Sequence, residues 1–282
     1  MSNSRSTEIT KLYLAILHRE PDDGGLTHYI NSNKSLQEIS NELLFSEEAI
    51  NIYRNGDNVD LLNDRTKLFD KIVIYRNDNI CIDYYKNKIP SKNLAFSFSG
   101  ANEFINLDSL GLHGKRLFDC GFDVVFFKSN NNKFYKEVTS EIIDNINCVL
   151  GDQYINRTAI ALCMGCLPAT KYSHQLHIQT ALLLSPNREV GSEVYCLGDN
   201  ISPTCKFFIT CNYNHKFDKI NFNYYCDKIP KQNTIKIRID DAPHVHKTPQ
   251  TLRAERIYLE FVKQILCNNV VIDHPVIIID KD

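Results

Sequence analysis

Cys163 stands where a thiol could do chemistry. It follows the apolar run Thr158–Leu162 and precedes Met164, Gly165 and Cys166, after which Leu167 onward can be helix. A strand that turns sharply into a helix presents the residue at the turn in a strained backbone. The turn presses the positions two before, and two and three after, against neighbouring backbone, so those residues must be small. Ala161, Gly165 and Cys166 meet that requirement. Read as such an elbow, the turn makes Cys163 the nucleophile of an acyl transfer. The Met164 amide is then aimed at the oxyanion, and the positive end of the following helix favours the thiolate.

Two other readings use the same residues. Cys163 and Cys166 form a C-x-x-C motif after a strand, as in thioredoxin-like redox pairs, and both thiols could instead be inert packing. Against the redox pair, several strands precede the motif in a long chain. A metal site would need a second ligand pair at suitable spacing, and the sequence has none, so no metal is expected.

An elbow requires a sheet behind it. Candidate strands are Lys71–Tyr75, Ile80–Tyr85, Leu94–Ser99, Val124–Lys128, Thr158–Cys163, Thr180–Ser185, Lys206–Cys211 and Thr234–Ile239. Between several of them lie helix-compatible segments: Ser109–Cys120, Tyr135–Leu150, Leu167–His177, Phe217–Ile229 and Gln250–Cys267. Repeated strand, helix, strand predicts an α/β fold with a mainly parallel sheet covered on both faces, active groups lying at the carboxyl ends of its strands. The stretch Val270–Asp280 reads as an added strand.

Glu8 to about Tyr53 has a different period. Ile9, Leu12, Tyr13 and Ile16 recur at helical spacing, as do Leu36, Ile39 and Leu43, and Ser35 with Glu38 reads as a capping box. The expected organisation is a small helical domain over residues 1–56, a linker over 57–70 and the α/β domain over 71–282. Net charge is −2, so no global basic field recruits nucleic acid. No apolar run is long enough for a membrane span, and the polar Met1–Thr7 lacks a signal-peptide pattern, which makes a cytoplasmic protein the expectation. The ten cysteines are scattered through a long chain, several in strand-like runs, and most read as reduced core residues.

Two resemblances add to this. Leu12 through Asp22, then Gly25-Leu26, Tyr29 and Phe45-Ser46-Glu47-Glu48, resemble a small helical domain of bacterial surface and polysaccharide-locus proteins, itself similar to phycobilisome linker repeats. That implies a protein partner met through residues 1–56. Farther on come Phe98-Ser99-Gly100, Phe126-Phe127-Lys128 with Phe134-Tyr135, and Leu162 through Ala169. Ser185-Pro186, Asp218 and His246 follow in order. Together these resemble bacterial α/β-hydrolase-fold proteins of polysaccharide loci, with Cys163 in place of serine, Cys166 in place of the second glycine, and Pro168 where alanine is usual.

The resemblance implies the rest of the site. Nucleophile, acid and histidine follow one another along such chains, so Asp218 becomes the orienting acid and His246 the base, with His244 as the alternative base. Asp240, Asp241 and Asp199 are rival acids. Ser99 and Gly100, in the loop after the third strand, join Met164 as oxyanion donors. The expected activity is an acyl hydrolase or acyltransferase working through a thioester on a bacterial polysaccharide or its precursor. No cofactor is required, and acyl-coenzyme A is a candidate donor. The rival expectation is a non-catalytic interaction protein on a degenerate hydrolase scaffold.

Overall fold

The computed structural model describes residues 2–17, 19–34, 69–88, 90–100, 107–108, 110–111, 113–131, 133–190, 193–194, 196–198, 200–213, 215–239, 258–268 and 277–280, together with positions 36, 39, 42, 43, 46, 48 and 270. The chain divides into two compact units, Met1–Asp64 and Arg65–Asp282.

In the first unit, α1 (Ser2–Leu17) is followed by α2 (Asp23–Asn31). Ile9, Tyr13 and Leu17, one turn apart on α1, close over Ile39 and Leu43, with Leu26 and Tyr29 packed against them. The motif residues hold this fold together. Asp22 caps α2 by accepting from the Gly25 N–H at 2.7 Å. Arg19 forks onto both Glu48 oxygens at 2.5 and 2.8 Å and lies over the Tyr13 ring. Gly25 leaves room for Tyr13, whose hydroxyl would lie 2.5 Å from a Cβ there. Arg5 Nη2 reaches the carbonyls of Tyr29, Ser32 and Lys34 at 2.7–3.1 Å, tying the start of α1 to the end of α2. Helix therefore extends to Ser2, well before Glu8. Ser35 and Glu38, read as a capping box, lie outside the described residues.

The second unit is built on a nine-stranded sheet. Its strands are β1 (Phe69–Arg76), β2 (Ile80–Asn87), β3 (Asn93–Phe98), β4 (Asp123–Ser129), β5 (Asn156–Leu162), β6 (Thr180–Leu184), β9 (Lys206–Asn212), β10 (Thr234–Ile239) and β11 (Ile277–Asp280). β7 (Glu189–Val190) and β8 (Glu193–Val194) form a separate small hairpin. The spatial order is β1-β2-β4-β3-β5-β6-β9-β10-β11. The strands from β4 to β10 run parallel; β2 is antiparallel to both its neighbours, and β11 closes the far edge antiparallel to β10. β1 begins at Phe69, inside the expected linker, because Phe69 pairs with Asn87 and is buried.

Alternation along each strand supplies two cores. Ala159 and Ala161 of β5 face α4 (Ser140–Leu150), α5 (Cys166–Lys171) and α6 (Lys216–Lys228), while Ile160 and Leu162 face α3 (Gly114–Asp119) and α7 (Tyr258–Asn268). Helices thus cover both faces, and with this strand order and a strand–turn–helix at the end of β5 the fold is that of an α/β-hydrolase. α3 and α4 are each shorter than the expected segment for a local reason. Thr139 caps α4, accepting from the Ile142 N–H at 3.4 Å, so Tyr135 lies before the helix. Gly121 ends α3 at φ +78°. Among the described residues, no helix is long and apolar enough to cross a membrane.

Candidate active site

The elbow is built from backbone. β5 ends at Leu162, and Cys163 adopts φ +53°, a conformation unfavourable for a residue bearing a Cβ. Cys163–Gly165 then form a 3-10 turn that runs directly into α5. Two positions on, Gly165 lies so close to the end of β3 that an added Cβ would be 2.6 Å from the Ser99 carbonyl oxygen and 2.7 Å from that of Phe98. Those partners are main chain and cannot swing away. The Asn187 N–H, in the loop after β6, donates to the Cys163 carbonyl at 3.1 Å and holds the turn from the other side. Cys163 is left half-exposed at the carboxyl end of the sheet.

Cys166 has a different environment. It is fully buried in the core beneath α5, its Sγ 3.8 Å from the Leu184 carbonyl. That is a packing position. Pro168 is the third residue of α5, where a helix N–H has no intrahelical partner to lose, so the ring is tolerated.

The end of β3 meets the elbow, which brings Met164, Ser99 and Gly100 into one neighbourhood. The Ser99 amide is not available to an oxyanion, however, because it donates to the Phe127 carbonyl at 3.1 Å and continues the sheet. Its hydroxyl is 2.5 Å from that of Tyr135, which also lies 3.0 Å from the Ser99 carbonyl and 2.9 Å from that of Phe127. Since Tyr135 has one proton, Ser99 donates to it while Tyr135 donates to a strand-end carbonyl. Phe134 and Tyr135 both sit at positive φ, +51° and +57°, to make this brace. Gly100 follows Ser99 directly and is buried.

Asp218 lies in the first turn of α6, just beyond β9, and is 1% exposed. The same helix reaches the elbow through its buried face. Asn221 Oδ1 accepts from the Arg188 N–H at 3.3 Å, and the Tyr225 hydroxyl donates to the Asn187 carbonyl at 3.3 Å. Burial pushes the Tyr225 hydroxyl well above the usual range for tyrosine, and the Cys166 and Cys163 thiols are near enough to add to it.

His215 is a residue the sequence reasoning missed. It is the N-cap of α6, with its Nδ1 3.2 Å from Asp218 Oδ1 and 3.4 Å from the Asp218 N–H. One nitrogen cannot serve both. With a proton on Nδ1 it donates to the carboxylate and Nε2 carries the lone pair; without one it accepts from the amide as a cap. The His-x-x-Asp spacing across a strand-to-helix boundary was the available signal, since it sets the two side chains one helical turn apart. His244 and His246, like Asp240, Asp241 and Asp199, lie outside the described residues. A cavity of about 110 Å³ opens beside α5 between Phe134, Tyr135, Leu167, Pro168, Lys171 and Tyr172, and Cys163 does not line it.

No family model and no curated protein matches this chain. Solved structures do resemble it. The glycosylation-associated protein (Gap123) complex of Streptococcus agalactiae matches at TM-score 0.50 and 12% identity, over 72% of this chain and 47% of that one. The esterase Pf2001 of Pyrococcus furiosus matches at TM-score 0.47 and 16% identity, over 72% and 95%. A Lactococcus lactis sugar hydrolase (YeeB) matches at TM-score 0.46 and 14% identity, over 70% and 97%. At such identities the likeness is one of fold. The sheet order of the second unit makes the chain an α/β-hydrolase-fold protein whose elbow position is held by Cys163.

Proposed function

We propose that this chain is an acyl hydrolase or acyltransferase that works through a thioester on Cys163. The observation that carries the reading is the left-handed φ of Cys163 at the end of β5, locked by Gly165 against the Phe98 and Ser99 carbonyls. Backbone strain of this kind costs on the order of 1–3 kcal/mol and persists where a side chain must be presented.

In the proposed cycle a histidine oriented by Asp218 takes the Cys163 proton, and the thiolate adds to an ester or thioester carbonyl. The Met164 and Gly100 amides hold the oxyanion. The histidine returns the proton to the leaving group, and water or a sugar hydroxyl then resolves the thioester. His246 is the proposed base on chain order, with His244 as its alternative. His215 is a second reading, favoured by its 3.2 Å approach to Asp218. The proposed substrate is an acyl group on a bacterial polysaccharide or its precursor, with acyl-coenzyme A as a donor and no bound cofactor. The name of the Streptococcus agalactiae neighbour, a glycosylation-associated protein, is in keeping with a glycan setting. The first unit is proposed to dock a protein partner, and the cytoplasm is the proposed location.

The test is intact-mass detection of an acyl adduct after exposure to activated esters and to acyl-coenzyme A. The adduct is expected on the wild type and absent from Cys163→Ala. Equal labelling of both proteins overturns the mechanism and leaves a scaffold that binds without chemistry. Trapping should separate the bases: the variant lacking the true base accumulates adduct slowly, and the variant lacking a mere cap does so at the wild-type rate.

A further inference from the structure

The cavity of about 110 Å³ beside α5 is lined mainly by aromatic and aliphatic side chains. Phe134 and Tyr135 enter it from the loop after β4, and Leu167, Pro168 and Tyr172 from α5 and the residue that ends it. The two tyrosine hydroxyls are already engaged. Tyr135 donates to a strand-end carbonyl, and Tyr172 donates to the Val138 carbonyl at 2.6 Å. A sugar, with a hydroxyl on nearly every carbon, would find few partners there, so the wall selects an apolar body. An apolar cavity of about 150 Å³ takes one benzene ring. This one is smaller, which sets the body at a short aliphatic chain.

Charge decides the other end of the ligand. Lys171, the last residue of α5, lines the cavity and is exposed, with its Nζ 4.9 Å from the centre of the Tyr172 ring. Among the described residues no carboxylate pairs with it, and none of the residues lining the cavity is acidic. Lys136 adds a second positive charge to the wall. The carboxylate of the adjacent Glu137 is held by the Asn77 and Asn79 side-chain amides at 2.7 and 3.1 Å. We propose that the cavity is a binding site for a short-chain aliphatic carboxylate, its chain against Phe134, Leu167 and Pro168 and its carboxylate on the Lys171 ammonium. Cys163 does not line the cavity, so the site does not rest on the acyl-transfer reading.

Cys196, exposed and lining the same cavity, supplies a reporter, and the exposed Cys148 on α4 supplies a reference. The full chain is treated with iodoacetamide, with and without butyrate at constant ionic strength, and alkylation of each cysteine is followed by peptide mass. With a Kd on the order of 10 mM for so small a ligand, about 50 mM butyrate should slow alkylation of Cys196 about sixfold and leave Cys148 unchanged. Butyramide, of the same shape without the charge, should bind about threefold to fivefold more weakly, and Lys171→Gln should weaken butyrate by a similar factor. Cys163→Ala should be protected as wild type is. The proposal fails if butyrate leaves Cys196 unprotected, slows Cys148 as much, is matched by butyramide, or protects Lys171→Gln as well as wild type.

Discussion

The distinctive residues of the first unit and those of the elbow are used in opposite ways. Arg19, Asp22, Gly25 and Glu48 answer one another: the guanidinium forks onto a carboxylate, the aspartate caps a helix, and the glycine makes room for a tyrosine. Their pattern is accounted for by the fold they hold together. At the elbow the accounting differs. Gly165 lets the turn close against β3, yet the turn forces Cys163 into a conformation unfavourable to any side chain. A glycine at position 163 would relieve that strain, so the cysteine carries a conformational cost. Internal partners account for a structural motif, whereas strain carried by a half-exposed thiol is what the proposed site rests on.

The largest expected effect follows from that contrast. Cys163→Ala should lower acyl-transfer turnover by at least about 10³-fold, as removal of a nucleophile does. Its stability by urea unfolding should stay within about 1 kcal/mol of wild type, since no buried partner is lost. Cys163→Gly should match it in activity and unfold later, by up to about 1 kcal/mol, as the left-handed strain is released. Loss of the fold in both variants would make the thiol a packing residue and erase the contrast.

Next comes Gly165. Its Cβ would sit 2.6 Å from the Ser99 carbonyl oxygen, so Gly165→Val should destabilise the second unit by roughly 2–4 kcal/mol. Gly25→Ala, whose Cβ meets the mobile end of the Tyr13 ring, should cost only about 1 kcal/mol, because the tyrosine can shift. Equal costs at the two glycines would show that the elbow yields as readily as a side chain.

How far the sequence could be read follows from the same physics. Every expected strand from Lys71–Tyr75 to Thr234–Ile239 is found, each displaced by at most two residues at an end. The inner strands, buried on both faces, are written as largely apolar runs, whereas β10 alternates and the edge strand β1 is mostly exposed. The elbow was legible for the same kind of reason: crowding against backbone admits few residue types at 161, 165 and 166. Helix starts were read less well. Tyr135 looked helical by period, whereas Thr139 supplies the cap and a pair of left-handed residues precedes it. The engagement of the Ser99 amide by Phe127 depends on how far β4 runs alongside β3, which no local pattern states. His215 was passed over because only the turn into α6 sets its ring against Asp218.

A cap offers a smaller test on the structural side. Asp22→Ala leaves the Gly25 N–H without its acceptor, and should lower the stability of the first unit by about 1 kcal/mol, with Asp22→Asn close to wild type. Urea unfolding followed by amide exchange within α2 reads this directly. A larger loss, not rescued by asparagine, would point to a charge role for Asp22 beyond capping.

The smallest effect is in the response to acid, and it should have opposite signs at two carboxylates. In the first unit the hydrogen bond from Arg19 holds the Glu48 carboxyl below its ordinary range. Its folded value therefore lies under its unfolded one, so the stability from this pair is present above the unfolded value, near pH ~4.3, and is lost as pH falls through the folded value. In the second unit burial raises Asp123, against the opposing hydrogen bond from Tyr154. Its folded value lies above the unfolded one, near pH ~3.9, so its contribution is fully present below that value and is lost as pH rises through the folded value. Amide exchange over a pH series resolves the two units separately. Glu48→Gln should make the acid loss of the first unit shallower, leaving the share due to Glu42 and Asp22, whose carboxyls are also held low. Asp123→Asn should remove a gain on acidification from the second unit. If Glu48→Gln leaves the acid slope of the first unit unchanged, the Arg19 fork contributes nothing in solution, and the first unit is held by its caps and its apolar core alone.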